Sequence, residues 1–337
     1  MIEDIRSKKL LNNGVEMPWL GLGVLRLNEG GEVENAVRIA IEKGYRLFDN
    51  AAIYHNEKGV ARGIKASGIP REELFLSSKI ANDQQGYHST FKAFQRSLDW
   101  LQTDYLDLYL IHWPQGELSV ETWMAMEELY KQGKIRAIGV SNFWIHHLEY
   151  FLPKVNVIPA VNQVEFHPRM TQPRLLQFCQ ERNIQVEAWS PIMQGQALKI
   201  PEIKEISKKY RKSPSQIVLR WDLQKGVITI PRSARKSEII ENAEIFDFEL
   251  SDEDIVKIDR LNKNKSIFPY YDRIPFLIKA LGFVEQKEYV LMLLMKALIF
   301  KAGERLKKLF MSQQQFIPVK ETSGKSPVEK SHSIVKK

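Results

Sequence analysis

Two titratable side chains lie five residues apart where an apolar stretch ends near residue 50. Residues 46–54 have the pattern of a strand that ends on Asp49 and continues into a polar loop carrying Tyr54. A carboxylate and a phenol at one rim of a sheet can take part in proton transfer. We therefore interpret this rim as an active site.

A lysine and a histidine follow near the ends of the next two apolar stretches, at Lys79 and His112. A tyrosine phenol has a pKa of about 10 and releases its proton poorly at neutral pH. A nearby lysine ammonium would lower that pKa by about 1–3 units, and a carboxylate paired with the lysine would keep it charged. Tyr54 could then protonate a carbonyl oxygen as negative charge develops on it, while His112 orients the carbonyl by a hydrogen bond.

This set of residues lacks a nucleophile. No serine or cysteine lies in a recognisable nucleophile elbow, so an external hydride donor is the natural supply. The single cysteine, Cys179, excludes an internal disulfide and a multi-cysteine metal site. The remaining histidines have no acidic or cysteine partners at ligand spacing, so we predict no metal.

Alternating strand and helix patterns would position these residues. Between residues 20 and 245 a strand-like segment is followed by a helix-like segment eight times, at spacings of roughly 20 to 35 residues. Eight such units over about 270 residues predict an α/β fold of the (β/α)8 type, the TIM barrel. A short N-terminal hairpin is predicted around Asn12–Gly14.

A doubly wound sheet is the alternative α/β architecture, and it normally carries GxGxxG at its first strand-helix turn. Here Gly21-Leu-Gly23 is followed by Arg26 in place of the third glycine, so the fingerprint is absent. The barrel is favoured, and all its strand carboxyl ends lie at one face. The polar or indole-bearing residues at the predicted ends are Asp49, Lys79, His112, Ser141, Asn142, Gln163, Trp189, Ser190, Arg232 and Ser233.

Over about residues 5–270 the chain resembles the aldo-keto reductase family, and seven motifs carry the resemblance. The motifs are Phe48–Glu57, Ser78-Lys79, Leu110–Pro114, Gly139–Phe143, Asn162–Pro168, Trp189–Pro191 and Ile230–Ser233. The resemblance implies a catalytic tetrad in which Tyr54 is the general acid. Its members are Asp49, Tyr54, Lys79 and His112. The start Gly23-Val24-Leu25, together with Trp189, resembles the diketogluconate-reductase-like branch of the family.

The resemblance also implies an NAD(P)H cofactor and the residues that contact it. Ser141, Asn142 and Gln163 would bind the carboxamide of the nicotinamide ring. Trp189 would stack on that ring and so fix the ring face that delivers hydride. The other cofactor contacts implied by the resemblance are Gly23, Val24, Ser190, Arg232, Ser233, Glu238 and Asn242.

The choice between NADPH and NADH depends on a departure from the family pattern. Relatives bind the adenosine 2′-phosphate through a Lys-Ser pair and an arginine six residues after the lysine. Here Arg232 and Ser233 take the first two places and Glu238 takes the place of the arginine. A carboxylate would repel a phosphate and accept hydrogen bonds from ribose hydroxyls, whereas Arg235 and Lys236 would favour NADPH. We therefore expect either NADP(H) or NAD(H).

The formal net charge of +8 belongs to the carboxyl-terminal part of the chain, because residues 273–337 hold 13 Lys and Arg against 5 Asp and Glu. The neutral remainder gives no reason to predict a nucleic-acid partner. We predict a barrel domain over residues 1–272, an amphipathic helical extension over 273–312 and a disordered tail over 313–337. The apolar run Tyr289–Phe300 within the extension is too short to span a bilayer, so the partner of the extension is the barrel, another subunit or an anionic membrane surface.

Two functions remain open at this stage. The leading one is NAD(P)H-dependent reduction of an aldehyde, ketone or sugar carbonyl in a pocket lined by Leu25 and Trp113. The alternative is a cofactor-binding redox sensor attached to a membrane partner through the basic tail. The amino terminus is charged from its third residue and resembles no signal or transit segment, so a cytoplasmic location is expected.

Overall fold

The computed structural model describes residues 2–267, which begin with the hairpin predicted around Asn12–Gly14. Its antiparallel strands are β1 (Lys8–Leu10) and β2 (Glu16–Pro18). The Asn12 side chain donates to the carbonyl of Pro159 at 3.0 Å and so ties the turn to the body of the fold. Pro159 lies just before the strand Val161–Glu165, at the amino ends of the parallel strands. The hairpin therefore lies at the end of the barrel opposite the predicted active-site rim.

Eight short apolar segments form one parallel sheet. They are β3 (Gly21–Gly23), β4 (Leu47–Asp49), β5 (Phe75–Ile80), β6 (Leu106–Ile111), β7 (Ile135–Ser141), β8 (Val161–Glu165), β9 (Gln185–Trp189) and β10 (Ile228–Thr229). Each strand pairs in parallel with the next along the chain. The sheet closes where Leu20 and Thr229 form a parallel bridge and the Thr229 amide donates to the carbonyl of Trp19 at 3.1 Å. The predicted (β/α)8 barrel is confirmed.

Helices surround the barrel because each presents one apolar stripe that must be covered. In α1, Val33, Val37 and Ala40 recur at helical spacing and are all buried. The helices are α1 (Gly31–Glu42), α2 (Glu57–Ser67), α3 (Tyr87–Leu101), α4 (Glu117–Lys131), α5 (Ile145–Phe151), α6 (Pro173–Gln180), α7 (Pro201–Tyr210), α8 (Pro214–Gln224), α9 (Lys236–Ala243) and α10 (Asp252–Asp259).

The central strands are buried on both faces. Every residue of β5 and β6 is buried, because helices cover the outside of the barrel and side chains fill its interior. Charged groups in such strands require partners. Asp107 of β6, for example, accepts hydrogen bonds from Arg71 at 2.7 Å and from Arg136 at 2.6 Å. A charged residue in these strands therefore predicts a second charged residue close to it.

The last strand is shorter than the sequence pattern indicates. The pattern predicts a strand over 227–233, but β10 ends at Thr229. Pro231 has no amide proton and cannot continue a hydrogen-bonded ladder. Its carbonyl instead accepts from the Gly23 amide at 3.1 Å. Residues 230–233 therefore form a loop beside β3.

None of the helices within residues 2–267 has the length and apolar character needed to cross a membrane. The predicted extension over 273–312 and the tail over 313–337 lie outside the described residues, as does the predicted domain boundary after residue 272.

Close packing at Gly139 generates a stability prediction. A Cβ atom at this residue of β7 would lie 2.6 Å from the Val161 carbonyl oxygen and 2.6 Å from a methyl carbon of Leu110. We expect Gly139→Ala to lower the free energy of unfolding by about 1–3 kcal/mol, because the neighbouring backbone of β8 must move. Urea denaturation of the two proteins measures this difference.

Gly31→Ala is the matched control. No atom lies within 4 Å of a Cβ built at Gly31, and its φ is not in the left-handed region. Since an alanine there also restricts the unfolded chain, we expect the free energy of unfolding to stay equal or to rise by up to about 1 kcal/mol. Equal losses in both variants would contradict the packing argument.

Candidate active site

A buried ion pair lies at the carboxyl ends of β4 and β5. Lys79 Nζ donates to Asp49 Oδ1 at 2.6 Å, to Asp49 Oδ2 at 2.7 Å and to the Asn50 carbonyl at 2.8 Å. The Ser77 hydroxyl donates to Asp49 Oδ1 at 2.9 Å. Lys79 is fully buried and Asp49 is 3% exposed. Asp49 is in register with Ser77, so Lys79 lies two residues further along the same face of β5.

The protonation state of Lys79 follows from these neighbours. Burial by itself lowers the pKa of the ammonium, but the negative groups around it, Asp49 foremost, raise it above its ordinary value. The opposing effects arise because a low-dielectric interior penalises an isolated charge and strengthens its attraction to a counter-charge. Lys79 is therefore a permanent cation at neutral pH.

Tyr54 lies beside this pair at the end of a single 3-10 turn, Ala52–Tyr54. The next residue, His55, adopts a left-handed φ of 57°, which ends the turn. Lys79 Nζ is 5.3 Å from the centre of the Tyr54 ring. Burial raises the pKa of the Tyr54 hydroxyl, and the charge and hydrogen bond of Lys79 offset only part of that rise.

The expected net lowering of the Tyr54 pKa is therefore wrong. The sequence shows that a cation can lie near the phenol, but the cost of removing the phenolate from water depends on how deeply the fold buries it. A phenol that retains its proton until a neighbouring oxygen becomes basic is suited to act as a general acid.

His112 follows β6 and packs edge-to-face on Tyr54, with ring centroids 5.9 Å apart and planes at 77°. Burial, followed by the positive charge of Lys79, lowers the pKa of the imidazole to about 3. The ring is neutral at physiological pH and carries one N–H donor. This fits the expected part of His112 as a hydrogen-bond donor that orients a carbonyl.

Gln163 connects the ion pair to Glu187, a residue that the sequence analysis missed. It lies in the middle of β8, although its strand was expected to end near it, and its Nε2 donates to both Asp49 Oδ1 and Glu187 Oε2 at 2.8 Å. The amide N–H groups of Gln163 are thus engaged, which leaves Oε1 as the atom suited to a carboxamide. An acidic residue two positions before Trp189 in an apolar strand was the available signal for Glu187.

The residues expected to bind a nicotinamide lie together beside this network. The Ser141 hydroxyl donates to the Gln163 carbonyl at 2.9 Å. Asn142 Nδ2 donates to the His112 carbonyl at 2.9 Å and to Ser141 Oγ at 3.0 Å. Asn142 Oδ1 accepts from Trp189 Nε1 at 2.9 Å. A fixed indole bordered by hydroxyl and amide groups fits an aromatic ring that carries a carboxamide.

A shallow aromatic cleft opens next to Trp189. Trp113 lines it, and so does Trp144, which the sequence analysis did not single out. Leu25 is not among the lining residues, and its side chain is 39% exposed. Ser190 follows Trp189 with a φ of 54°. The other lining residues are Asn142, Val164, Glu165, Met170, Gln172 and Ser266.

Glu165, a further residue missed by the sequence analysis, joins this cleft to the last described segment. Its carboxylate accepts from the Ser266 hydroxyl at 2.6 Å, the Ile267 amide at 2.7 Å and His167 Nε2 at 2.9 Å. Three donors from two parts of the chain converge on one carboxylate. These bonds hold Ser266 and Ile267 against one wall of the cleft.

The carboxyl end of β3 lies beside the loop at residues 230–233. Three predicted cofactor residues lie there: Gly23, Val24 and Arg232. The Val24 amide donates to the Asp49 carbonyl at 3.2 Å. A Cβ at Gly23 would come within 3.0 Å of a backbone oxygen, so the close approach suits glycine. The exposed Arg232 donates through Nε to the Leu25 carbonyl at 3.2 Å. Arg232 thus connects two loops while its charge remains at the surface.

The remaining predicted cofactor residues lie just before α9 or within it. The Ser233 hydroxyl donates to Glu238 Oε2 at 2.5 Å, and Arg235 forms an ion pair with the other carboxylate oxygen. Hydrogen bonding to Arg235 is the largest effect on the Glu238 carboxyl and lowers its pKa. Asn242, a turn later, is 4% exposed. Glu238 is therefore an anion that neutralises Arg235.

Comparison with known proteins supports one family. The model of the aldo/keto reductase family matches residues 20–263. The chain is 57% identical to glyoxal reductase of Bacillus subtilis over 276 residues, which cover 82% of this chain and 100% of that protein. Identity to methylglyoxal reductase DkgA of Escherichia coli O157:H7 is 42%, over 78% of this chain and 96% of the relative.

A solved aldo-keto reductase of Bombyx mori, in complex with NADP, is 35% identical. It superposes with a TM-score of 0.73 over 79% of this chain and 96% of that protein. The similarity therefore extends from the sequence motifs to the arrangement of the whole barrel. The chain belongs to the aldo/keto reductase family, and with it to the NAD(P)H-dependent oxidoreductases.

Proposed function

We propose that this protein reduces small aldehydes and ketones to alcohols, with 2-oxoaldehydes such as methylglyoxal as the first substrates to test. The observation that carries the proposal is the buried Lys79–Asp49 pair beside a phenol that holds its proton. Similarity to proteins named glyoxal reductase and methylglyoxal reductase supports the choice of substrate class. The cleft beside Trp189 is lined by the aromatic side chains of Trp113 and Trp144 and by a few polar groups, which is the character of a site for a small carbonyl compound.

Bound NAD(P)H supplies a hydride to the carbonyl carbon. Tyr54 donates its proton to the carbonyl oxygen as negative charge builds there. Lys79 then stabilises the phenolate, and Asp49 keeps Lys79 charged and in place. His112, as a neutral donor, orients the carbonyl oxygen toward the phenol. One hydride and one proton convert the carbonyl to an alcohol.

Residues on three strands would hold the cofactor. Ser141, Asn142 and Gln163 would bind its carboxamide, and Trp189 would stack on its ring. Gly23, Val24, Ser190, Arg232, Ser233, Glu238 and Asn242 would contact the rest of it. The arrangement of hydroxyl, amide and indole groups next to the tetrad supports this placement.

The redox-sensor alternative and its membrane or subunit partner depend on the basic extension, which lies outside the described residues. No contact within residues 2–267 favours it over catalysis. The retention of four mutually positioned reacting groups supports an enzyme, because cofactor binding alone does not require a buried lysine beside a phenol. We propose that the enzyme works in the cytoplasm.

Tyr54→Phe tests the proposed general acid. Loss of the hydroxyl leaves the packing of the ring on His112 but removes the proton donor. We expect kcat for methylglyoxal reduction to fall by about 10²–10⁴-fold. NADPH binding, followed by quenching of tryptophan fluorescence, should persist because the hydroxyl is not a proposed cofactor contact. NADPH oxidation at 340 nm, roughly the absorbance maximum of the reduced nicotinamide, measures turnover.

Tyr150→Phe is the matched control, since Tyr150 is 46% exposed and lies on α5. Its kcat should equal that of the wild type. Full activity of Tyr54→Phe would show that another group supplies the proton. Failure of the wild type to reduce any carbonyl compound while it binds NADPH would instead favour the sensor.

Glu238→Gln tests cofactor preference. The wild-type carboxylate neutralises Arg235 and opposes an additional phosphate. We expect the variant to bind NADPH roughly tenfold more tightly relative to NADH, a change of about 1.4 kcal/mol. Fluorescence titrations with both cofactors give the ratio of dissociation constants.

The exposed carboxylate of Glu253 on α10 provides the control. Glu253→Gln removes the same charge from the protein without altering the start of α9, so it should leave the ratio unchanged. A ratio that changes equally in both variants would assign the effect to net charge. An unchanged ratio in Glu238→Gln would exclude Glu238 from the adenosine site.

A further inference from the structure

A second carboxyl group lies in the barrel interior close to the catalytic pair. Glu187 of β9 has no exposed surface, and its Oε2 accepts from Gln163 Nε2 at 2.8 Å. The same nitrogen donates to Asp49 Oδ1 at 2.8 Å, so one amide bridges the two carboxyl groups. Glu187 Oε1 has no hydrogen-bond partner within residues 2–267. No step of the proposed mechanism uses this group.

The charges of the cluster favour a neutral Glu187. Asp49 and Lys79 already cancel each other, so an ionised Glu187 would leave one uncompensated negative charge in the interior. A buried carboxylate with one unpaired oxygen is especially costly. Burial, with a further contribution from the charge of Asp49, raises the pKa of Glu187 to about 8. Near neutral pH the side chain is therefore a carboxylic acid.

We propose that Glu187 is a positioning residue whose proton sets the alkaline limit of carbonyl reduction. Protonated, it leaves the buried cluster without net charge and still accepts the hydrogen bond from Gln163. Ionised, it adds a negative charge beside the site where Tyr54 must become a phenolate. The inference rests on the proposed reductase function and extends it.

The neighbours of Glu187 define how its charge acts. The titratable groups that face it are Asp49 of β4, Tyr54 of the 3-10 turn and Lys79 of β5. The flanking strands contribute uncharged partners in register with it, Gln163 from β8 and Ile228 from β10. A negative Glu187 raises the pKa of Tyr54. Proton transfer from Tyr54 then becomes slower, because phenolate formation is opposed by like charge.

The test is the pH dependence of the single-turnover rate of NADPH oxidation by an alkali-stable aldehyde, in wild type and Glu187→Gln. In the wild type, we expect the rate to fall roughly tenfold between pH values of about 7 and 9, as Glu187 ionises. In the variant, the decline should begin at least about one pH unit higher, because an amide cannot ionise. Each profile is normalised to its own plateau.

Asp222→Asn is the matched control. Asp222 of α8 is also a fully buried carboxyl with a raised pKa and one unpartnered oxygen, but its bonded partner is Thr229. Its profile should coincide with that of the wild type. A merely structural role for Glu187 would lower the plateau without moving the decline, and an unmoved decline would overturn the proposal whatever the plateau.

An independent readout uses the protein without cofactor or substrate. Infrared difference spectra between pH values of about 6 and 10 should show loss of a protonated carboxyl band that is absent from Glu187→Gln and present in Asp222→Asn. Identical spectra for wild type and Glu187→Gln would overturn the proposal. A wild type that reduces no carbonyl would refute the proposed function, while this measurement would still decide whether Glu187 carries the proton.

Discussion

The rest of the site depends on a charge pair enclosed in the barrel, Lys79 with Asp49. Removing either partner would leave a buried, uncompensated charge, which typically costs about 3–5 kcal/mol. Ser77, the Asn50 carbonyl and Gln163 all bond to this pair and restrict it to one geometry. The pair therefore holds a fixed positive charge close to a phenol in a place where water cannot screen it.

Burial gives three neighbouring titratable groups different protonation states. Lys79 is held as a cation because the negative groups around it, Asp49 foremost, together outweigh the cost of desolvation. His112 has no carboxylate partner within residues 2–267 and faces the same cation, and burial keeps it neutral. Tyr54 keeps its proton because desolvation outweighs the attraction of Lys79 for a phenolate. A permanent cation, a neutral donor and a protonated acid are a set suited to proton delivery to a carbonyl oxygen.

The two ends of the proposed cofactor site differ in how firmly they are built. Ser141, Asn142 and Gln163 are buried and linked to the catalytic groups, so a change there would disturb the chemistry. Arg232 and Arg235 are exposed, and their charges are screened by solvent. Cofactor preference can therefore vary at the surface while the reaction centre stays the same, as expected for one fold with several functions.

The sequence by itself determined the barrel and placed the candidate reacting groups at strand ends, because strand-helix alternation and strand-end chemistry are local patterns. Only the tertiary structure decided the burial of Glu187 beside Gln163, the direction of the Tyr54 pKa shift and which side chains line the cleft next to Trp189. Gln163 and Asp49, for example, are 114 residues apart and meet only when the sheet closes. Desolvation is likewise set by every residue that encloses a group, and closure of the barrel brings those residues together from distant parts of the chain.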